Sequence, residues 1–142
     1  MDYQEVIKYK IKTLIDLMLT DGVSPSELVA NIFEENYINI SFSKKKGYVI
    51  GKLDFYENGE LLQNIHMTYT YTKEKRLIKI EEKVDGLVHL LWDRQSREED
   101  LIQEILFFMS KCYDVSQVER FIMTLPEEVK GKVVAYIKQL SA

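Results

Sequence analysis

The stretch that decides the fold is residues 37–93, YINISFSKKKGYVIGKLDFYENGELLQNIHMTYTYTKEKRLIKIEEKVDGLVHLLWD. It contains five runs in which apolar and polar residues alternate, separated by short polar segments. A period of two is typical of a strand with one buried and one solvated face, and short connections are typical of antiparallel neighbours. The pattern predicts an antiparallel meander of five strands at 37–43, 48–56, 61–72, 76–84 and 87–93. Asn58–Gly59 is the strongest turn signal between them.

Helical patterns flank this stretch on both sides. Apolar residues at steps of three and four predict one helix from about Asp2 to Leu19 and another from about Pro25 to Glu35. We expect the second helix to point four apolar side chains inward, those of Leu28, Val29, Ile32 and Phe33. Residues 1–35 are thus predicted to form a helical hairpin, and capping patterns that begin at Ser96, Ser116 and Thr124 predict three helices within residues 96–141. We expect residues 1–142 to form a single compact α+β domain.

The last predicted strand, Leu87–Asp93, differs from the other four because it is apolar on both faces. Strict alternation places Val88, Leu90 and Trp92 on one face and puts His89 on the other. A strand that is apolar on both faces is expected to be covered on both sides, and the C-terminal helices are the candidates.

The composition predicts a folded, water-soluble protein. The chain has 142 residues, of which 46% are hydrophobic, and a formal net charge of −4, which argues against general binding to a nucleic-acid duplex. It has one cysteine, Cys112, which excludes an internal disulfide and is expected to be buried in an apolar helix. The N-terminal sequence does not resemble a signal peptide, so we expect a cytoplasmic location. The abundance of Ile, Lys, Glu and Tyr indicates a low-GC bacterial or phage gene.

Lysine-rich turns form the candidate binding site. In a meander, the first and third turns emerge at the same end of the sheet. These are the segments 44–47 and 73–76, and the expected partner-binding residues are Lys44, Lys45, Lys46, Lys73, Lys75 and Arg76. Such a basic end would attract an acidic protein surface or a phosphate backbone. The alternative is that these lysines are only solvated and discourage strand pairing at an edge.

The predicted solvated face of the sheet carries a second set of candidates, namely Tyr48, Lys52, Asp54, Tyr56, His66, Thr68 and Thr70. Aromatic and basic residues together on a sheet are typical of surfaces that stack single-stranded bases. General acid–base chemistry by His66 with Asp54 requires that strands two and three place them close together. Otherwise, these residues form ordinary cross-strand pairs.

The sequence contains no recognisable catalytic motif, metal-ligand spacing or phosphate-binding loop, so we expect no cofactor and no metal. The leading hypothesis is a non-enzymatic binding or regulatory protein whose partner is a macromolecule, with protein favoured over nucleic acid. One alternative is a small-ligand or enzymatic domain that uses His66, Tyr69 or Asp54 in a pocket between sheet and helices. Another is a module that binds single-stranded nucleic acid. We expect no membrane association, and a homodimer through the C-terminal helices, Val115 to Leu140, is a further hypothesis.

Overall fold

The predicted α+β fold class is confirmed. The computed structural model describes residues 2–57 and 63–141, and these form five α-helices and one five-stranded antiparallel sheet in the order β1-β2-β3-β4-β5. The strands are β1 (Tyr37–Lys45), β2 (Tyr48–Tyr56), β3 (Asn64–Tyr71), β4 (Leu77–Val84) and β5 (Leu87–Asp93). The helices are α1 (Tyr3–Leu19), α2 (Pro25–Val29), α3 (Arg94–Cys112), α4 (Val115–Met123) and α5 (Glu127–Ser141), and a 3₁₀ turn, Ala30–Phe33, follows α2.

The chain divides into two compact units, each with its own core. The helical unit contains the chain up to Thr20 and from Ser96 onward, and the sheet unit contains Asp21–Gln95. In the helical unit, α1, α3, α4 and α5 each contribute apolar side chains that are buried. These are Ile7, Leu14, Met18, Leu101, Ile102, Ile105, Met109, Ile122, Val129 and Val133. The expectation that the whole chain is a single domain stays a prediction.

One face of the sheet, here called the core face, carries the buried residues of the sheet unit. Leu53, Tyr71 and Leu77 are almost completely buried there, and Leu28 of α2 packs against them. The segment before α2 is held to the sheet by two hydrogen bonds, from the Leu77 amide to the Asp21 carbonyl (2.8 Å) and from the Tyr71 hydroxyl to the Val23 carbonyl (2.7 Å). Burial, with smaller contributions from Tyr69 and Glu27, raises the pKa of Tyr71 to about 12.

Gly51 marks a close approach on the core face. Phe42 of β1 lies directly opposite Gly51 of β2, and its ring occupies the space where a side chain at position 51 would begin. A glycine in a strand interior often marks such an approach. The ring of Phe42 therefore fills the gap that the missing side chain leaves.

Irregularities in the last two strands correct the predicted strand faces. Alternation over residues 76–84 predicts that Ile78, Ile80 and Val84 point inward. Ile78, however, has no partner between the pairs Thr70–Lys79 and Tyr71–Leu77, so the buried position belongs to Leu77. Leu91 likewise has no partner on β4, since it lies between the pairs Ile80–Trp92 and Glu81–Leu90. A bulge shifts the alternation by one residue. Trp92 therefore shares the core face with His89, and the expectation that these two residues face opposite ways was wrong.

The short helix α2 also departs from the prediction. Its capping box, formed by Ser24 and Glu27, is confirmed, but the α-helix ends at Val29 and a 3₁₀ turn follows. Because a 3₁₀ turn has three residues per turn, the expected stripe is not maintained. Only Leu28 is buried, whereas Val29, Ile32 and Phe33 are exposed, Phe33 at 91%.

Two C-terminal helices begin earlier than predicted. Helix α3 begins at Arg94, so Ser96 lies inside the helix. Helix α4 is capped by Asp114, which pairs with Gln117 in a capping box, and not by Ser116. Cys112, at the end of α3, is exposed and not buried as expected. Among the described residues, no helix is both long and apolar enough to cross a membrane.

Candidate functional site

The first lysine-rich turn is a tight hairpin between β1 and β2. Lys45 pairs with Tyr48, which leaves Lys46 and Gly47 as the two turn residues, and both have positive φ (52° and 86°). This is the geometry of a type I′ turn, which matches the twist of the flanking strands. A non-glycine residue rarely adopts positive φ, so the turn holds Lys46 at a small conformational cost. Lys44, Lys45 and Lys46 are all exposed.

The second lysine-rich turn, between β3 and β4, is longer and is closed by three hydrogen bonds. The Thr72 amide donates to the Arg76 carbonyl (2.8 Å), the Lys75 amide to the Thr72 carbonyl (3.0 Å), and the Arg76 amide to the Thr72 hydroxyl (3.2 Å). Lys73 and Lys75 are exposed, and Arg76 is half-buried. The turn is thus fixed by its own backbone and by Thr72, while its lysine side chains extend into solvent.

Both turns emerge at the same end of the sheet, because the strand order is sequential. Neighbouring strands lie about 4.8 Å apart, so the two turns are separated by about 10 Å. We call this surface, formed by Lys44, Lys45, Lys46, Lys73, Lys75 and Arg76, the basic pole. Within the described part of the chain, none of its five lysines makes an ion pair within 4.0 Å.

The basic pole concentrates the positive charge of the sheet unit. Residues 21–95 contain ten lysines and arginines against twelve aspartates and glutamates, and six of those ten cations form the basic pole. The opposite end of the sheet carries Glu57 and Asp85, both of which are exposed. The turn signal Asn58–Gly59 lies outside the described residues. The sheet unit therefore combines a small net negative charge with one strongly positive end, which favours oriented association with an anionic surface.

The solvated face of the sheet, here called the wet face, brings Asp54 and His66 together. They lie directly opposite each other on β2 and β3, and His66 Nδ1 is 2.5 Å from Asp54 Oδ1. This contact meets the condition stated above for acid–base chemistry. The carboxylate orients the imidazole ring through Nδ1, which leaves Nε2 as the nitrogen that could exchange a proton. The side chain of His66 is 46% exposed.

A shallow depression of about 440 Å³ surrounds this pair. Its lining contains three carboxylates, two lysines and one histidine, with two apolar contributions and one hydroxyl: Asp54, Glu81, Glu82, Lys52, Lys83, His66, Met67, Val88 and Thr68. With a neutral imidazole the carboxylates outnumber the lysines by one, so the lining of the depression carries a small excess of negative charge. Among the described residues, no group of three or more His, Cys, Asp or Glu side chains could hold a metal ion.

The other predicted site residues do not converge on this depression. Tyr69 lies on the core face, away from His66 and Asp54, where burial and the nearby Tyr37 raise its pKa. Tyr48 and Tyr56 lie at the two ends of β2, eight residues apart, which corresponds to about 27 Å in an extended strand. Thr70 is buried although it shares the wet face.

Strand β5 contradicts the expectation that it is covered on both sides. It is an edge of the sheet, and its apolar residues are exposed: Leu87 at 64%, Val88 at 59%, Leu90 at 58% and Leu91 at 51%. An apolar pattern on both faces of a strand is found in strands buried within a chain and in exposed edge strands alike. The position of β5 as the last strand of a meander indicates an edge.

Comparison of the chain with models of protein families, with curated proteins and with solved structures finds no match.

Proposed function

We propose that this chain is a non-enzymatic binding protein that docks an acidic surface of another protein at the basic pole. The observation that carries the proposal is the placement of two rigid, lysine-rich turns about 10 Å apart at one end of the sheet. Turns held by their own backbone lose little backbone entropy when their lysine side chains bind a partner. Five exposed lysines without ion pairs among the described residues are available to a partner.

A protein partner is favoured over nucleic acid by the separation of the exposed tyrosines. Stacking surfaces for single strands place aromatic side chains where successive bases can reach them. Tyr48 and Tyr56 are about 27 Å apart on β2, which is too far for neighbouring bases. The proposed location is the cytoplasm, since one cysteine leaves the chain without the internal disulfides that are common in small secreted domains.

The test compares two variants of equal net charge. In the pole variant, Lys44, Lys45, Lys46, Lys73 and Lys75 are replaced by Glu. Arg76 is kept because it is half-buried and its loss would also affect folding. The control variant carries the same number of charge reversals on exposed cations of the helical unit, namely Lys8, Lys12, Arg97, Arg120 and Lys138. Urea unfolding of both variants, followed by the fluorescence of the single tryptophan, Trp92, checks that the sheet unit is folded.

Each protein is used to capture partners from a nuclease-treated lysate of the source organism, with quantitative mass spectrometry as the readout. We expect one protein to be retained in stoichiometric amounts by the wild type and by the control variant, and to be lost from the pole variant. Equal retention by the pole variant would refute the site. Capture that is seen only when nucleic acid is present would refute the proposal and favour the alternative that the chain binds single-stranded nucleic acid.

A second candidate function is the binding of a small ligand in the depression on the wet face. The observation that favours it is the contact between His66 and Asp54 within the shallow depression of about 440 Å³, a volume in the usual range for ligand sites. A thermal-shift screen of small molecules tests it, because a ligand that binds the native state raises the melting temperature. The shift should disappear in the variant His66→Ala and persist in the pole variant.

A further inference from the structure

Strand β5 forms an exposed edge of the sheet that carries apolar side chains. Because β5 is the last strand of the sheet, the outward backbone groups of residues 87–91 pair with no further strand among the described residues. Four large apolar side chains on this strand are each more than half exposed, as given above. An open edge with apolar side chains is a template for pairing with another strand.

The apolar residues of β5 lie on both faces of the sheet. Val88 and Leu90 pair with Lys83 and Glu81 on the wet face, whereas Leu87 pairs with Val84 on the core face. A strand laid alongside β5 would therefore meet apolar side chains above and below the sheet. A strand with one polar face would leave the apolar side chains on one face of β5 without apolar contacts, so an ordinary amphipathic strand fits this edge poorly.

The two edges of the sheet are protected to different degrees. The other edge, β1, exposes Ser41, Ser43, Lys44 and Lys45, and lysine on an edge strand is a common protection against pairing. Strand β5 contains neither lysine nor proline. Its bulge at Leu91 restricts regular pairing to the segment from Leu87 to Leu90. One edge is thus protected by charge and the other is open.

We propose that β5 pairs with β5 of a second copy of this chain, in the antiparallel sense, to form a two-fold symmetric dimer. The pairing segment of β5 has Leu87 beside His89 on the core face and Val88 and Leu90 on the wet face, so a second β5 brings apolar side chains to both faces of the open edge. Two-fold pairing uses up both open edges and leaves a ten-stranded sheet that ends in two lysine-bearing β1 edges. Assembly therefore stops at two copies and does not continue into a fibre.

This arrangement has a consequence for the basic poles. In an antiparallel pair, the two sheets run in opposite directions across the two-fold axis, so the two basic poles lie at opposite ends of the dimer. A partner with repeated acidic surfaces would then gain from binding two poles at once. The dimer itself does not depend on the function proposed for the basic pole.

Sedimentation velocity tests the dimer. The wild type is measured from about 5 to about 500 µM, a range suited to the weak association expected of so small an interface. In the edge variant, Val88→Lys and Leu90→Lys place two charges on the open edge. The control variant Ser41→Lys and Ser43→Lys adds the same charge to the protected edge. Hydrogen exchange of the amides of residues 87–91 is measured at low and high concentration to locate the interface.

We expect the wild type and the control variant to shift from monomer to dimer with the same midpoint, and the amides of residues 87–91 to exchange more slowly at high concentration. We expect dimerisation of the edge variant to be weaker by more than about tenfold, with its urea midpoint close to that of the wild type. A wild type that remains monomeric at the highest concentration would overturn the inference. Unchanged dimerisation of the edge variant would also overturn the inference, and would favour a dimer interface formed by the C-terminal helices.

Discussion

Replacing Tyr71 by Phe removes a single oxygen from the centre of the sheet unit. Tyr71 is 1% exposed, and its hydroxyl donates to the Val23 carbonyl at 2.7 Å. A typical hydrogen bond contributes about 1 kcal/mol, and the partly buried Val23 carbonyl left without its donor adds to the loss. The expected decrease in the free energy of unfolding at pH 8 is therefore about 1–2 kcal/mol.

The same substitution should change how stability depends on pH. The pKa of Tyr71 is about 12 in the folded protein and 10.0 for an unperturbed tyrosine. Above pH 10 the unfolded chain loses this proton while the folded protein keeps it, so the contribution to stability is complete below pH 10 and is lost as the pH rises to about 12. One pKa unit corresponds to about 1.4 kcal/mol, and the loss over this window is up to about 2–3 kcal/mol.

Urea unfolding followed by Trp92 fluorescence measures both effects, because Trp92 packs against the same core. The difference between wild type and Tyr71→Phe should be constant below pH 10, shrink above it, reach zero between about pH 11 and 12, and then reverse in sign. Groups that do not interact with Tyr71 titrate equally in both proteins and cancel in the difference. A difference that does not change up to pH 11.5 would refute the account of Tyr71 as a buried, neutral hydrogen-bond donor.

Three further substitutions test separate parts of the structure. Lys46→Asn should raise the free energy of unfolding by about 0.5–1 kcal/mol, since asparagine tolerates the positive φ of this type I′ turn, and a lower urea midpoint would contradict the turn geometry. Gly51→Ala should lower it by about 1–3 kcal/mol because the ring of Phe42 must move, and an unchanged midpoint would show that the contact is loose. Lys132→Ala removes the ion-pair partner of Glu98, which is 3% exposed, and should cost about 2 kcal/mol by circular dichroism of thermal unfolding. Its control, Lys130→Ala, breaks a surface pair with Glu127 and should cost less than about 0.5 kcal/mol, and equal effects would argue against a buried carboxylate.

The strands could be predicted from the sequence because alternation is a local property. The buried residues Leu53 and Tyr71 follow directly from the period of two. The positions of Leu77 and Trp92 do not, since bulges at Ile78 and Leu91 shift the alternation, and a bulge leaves no clear mark in the sequence. The exposure of β5 was missed because an apolar pattern does not distinguish burial within the chain from an open edge.

The pair of Asp54 and His66 could not be predicted because it depends on strand register. A two-residue turn at Asn58–Gly59 would place Asp54 opposite Gln63. The observed register instead pairs Tyr56 with Asn64 and Asp54 with His66. In contrast, the placement of the two lysine-rich turns at one end requires only the strand order of a meander, and strand order follows from short connections.

The most direct test of the docking proposal is the salt dependence of affinity for the protein captured by the wild type. Its dissociation constant is measured with the wild type, the pole variant and the control variant from about 50 to about 300 mM salt, a range over which exposed charges become strongly screened. We expect the affinities of the wild type and the control variant to fall together as salt rises, and the pole variant to bind about 100-fold more weakly at low salt with little further change. Equal affinity of all three proteins, or wild-type binding that does not respond to salt, would contradict docking at the basic pole.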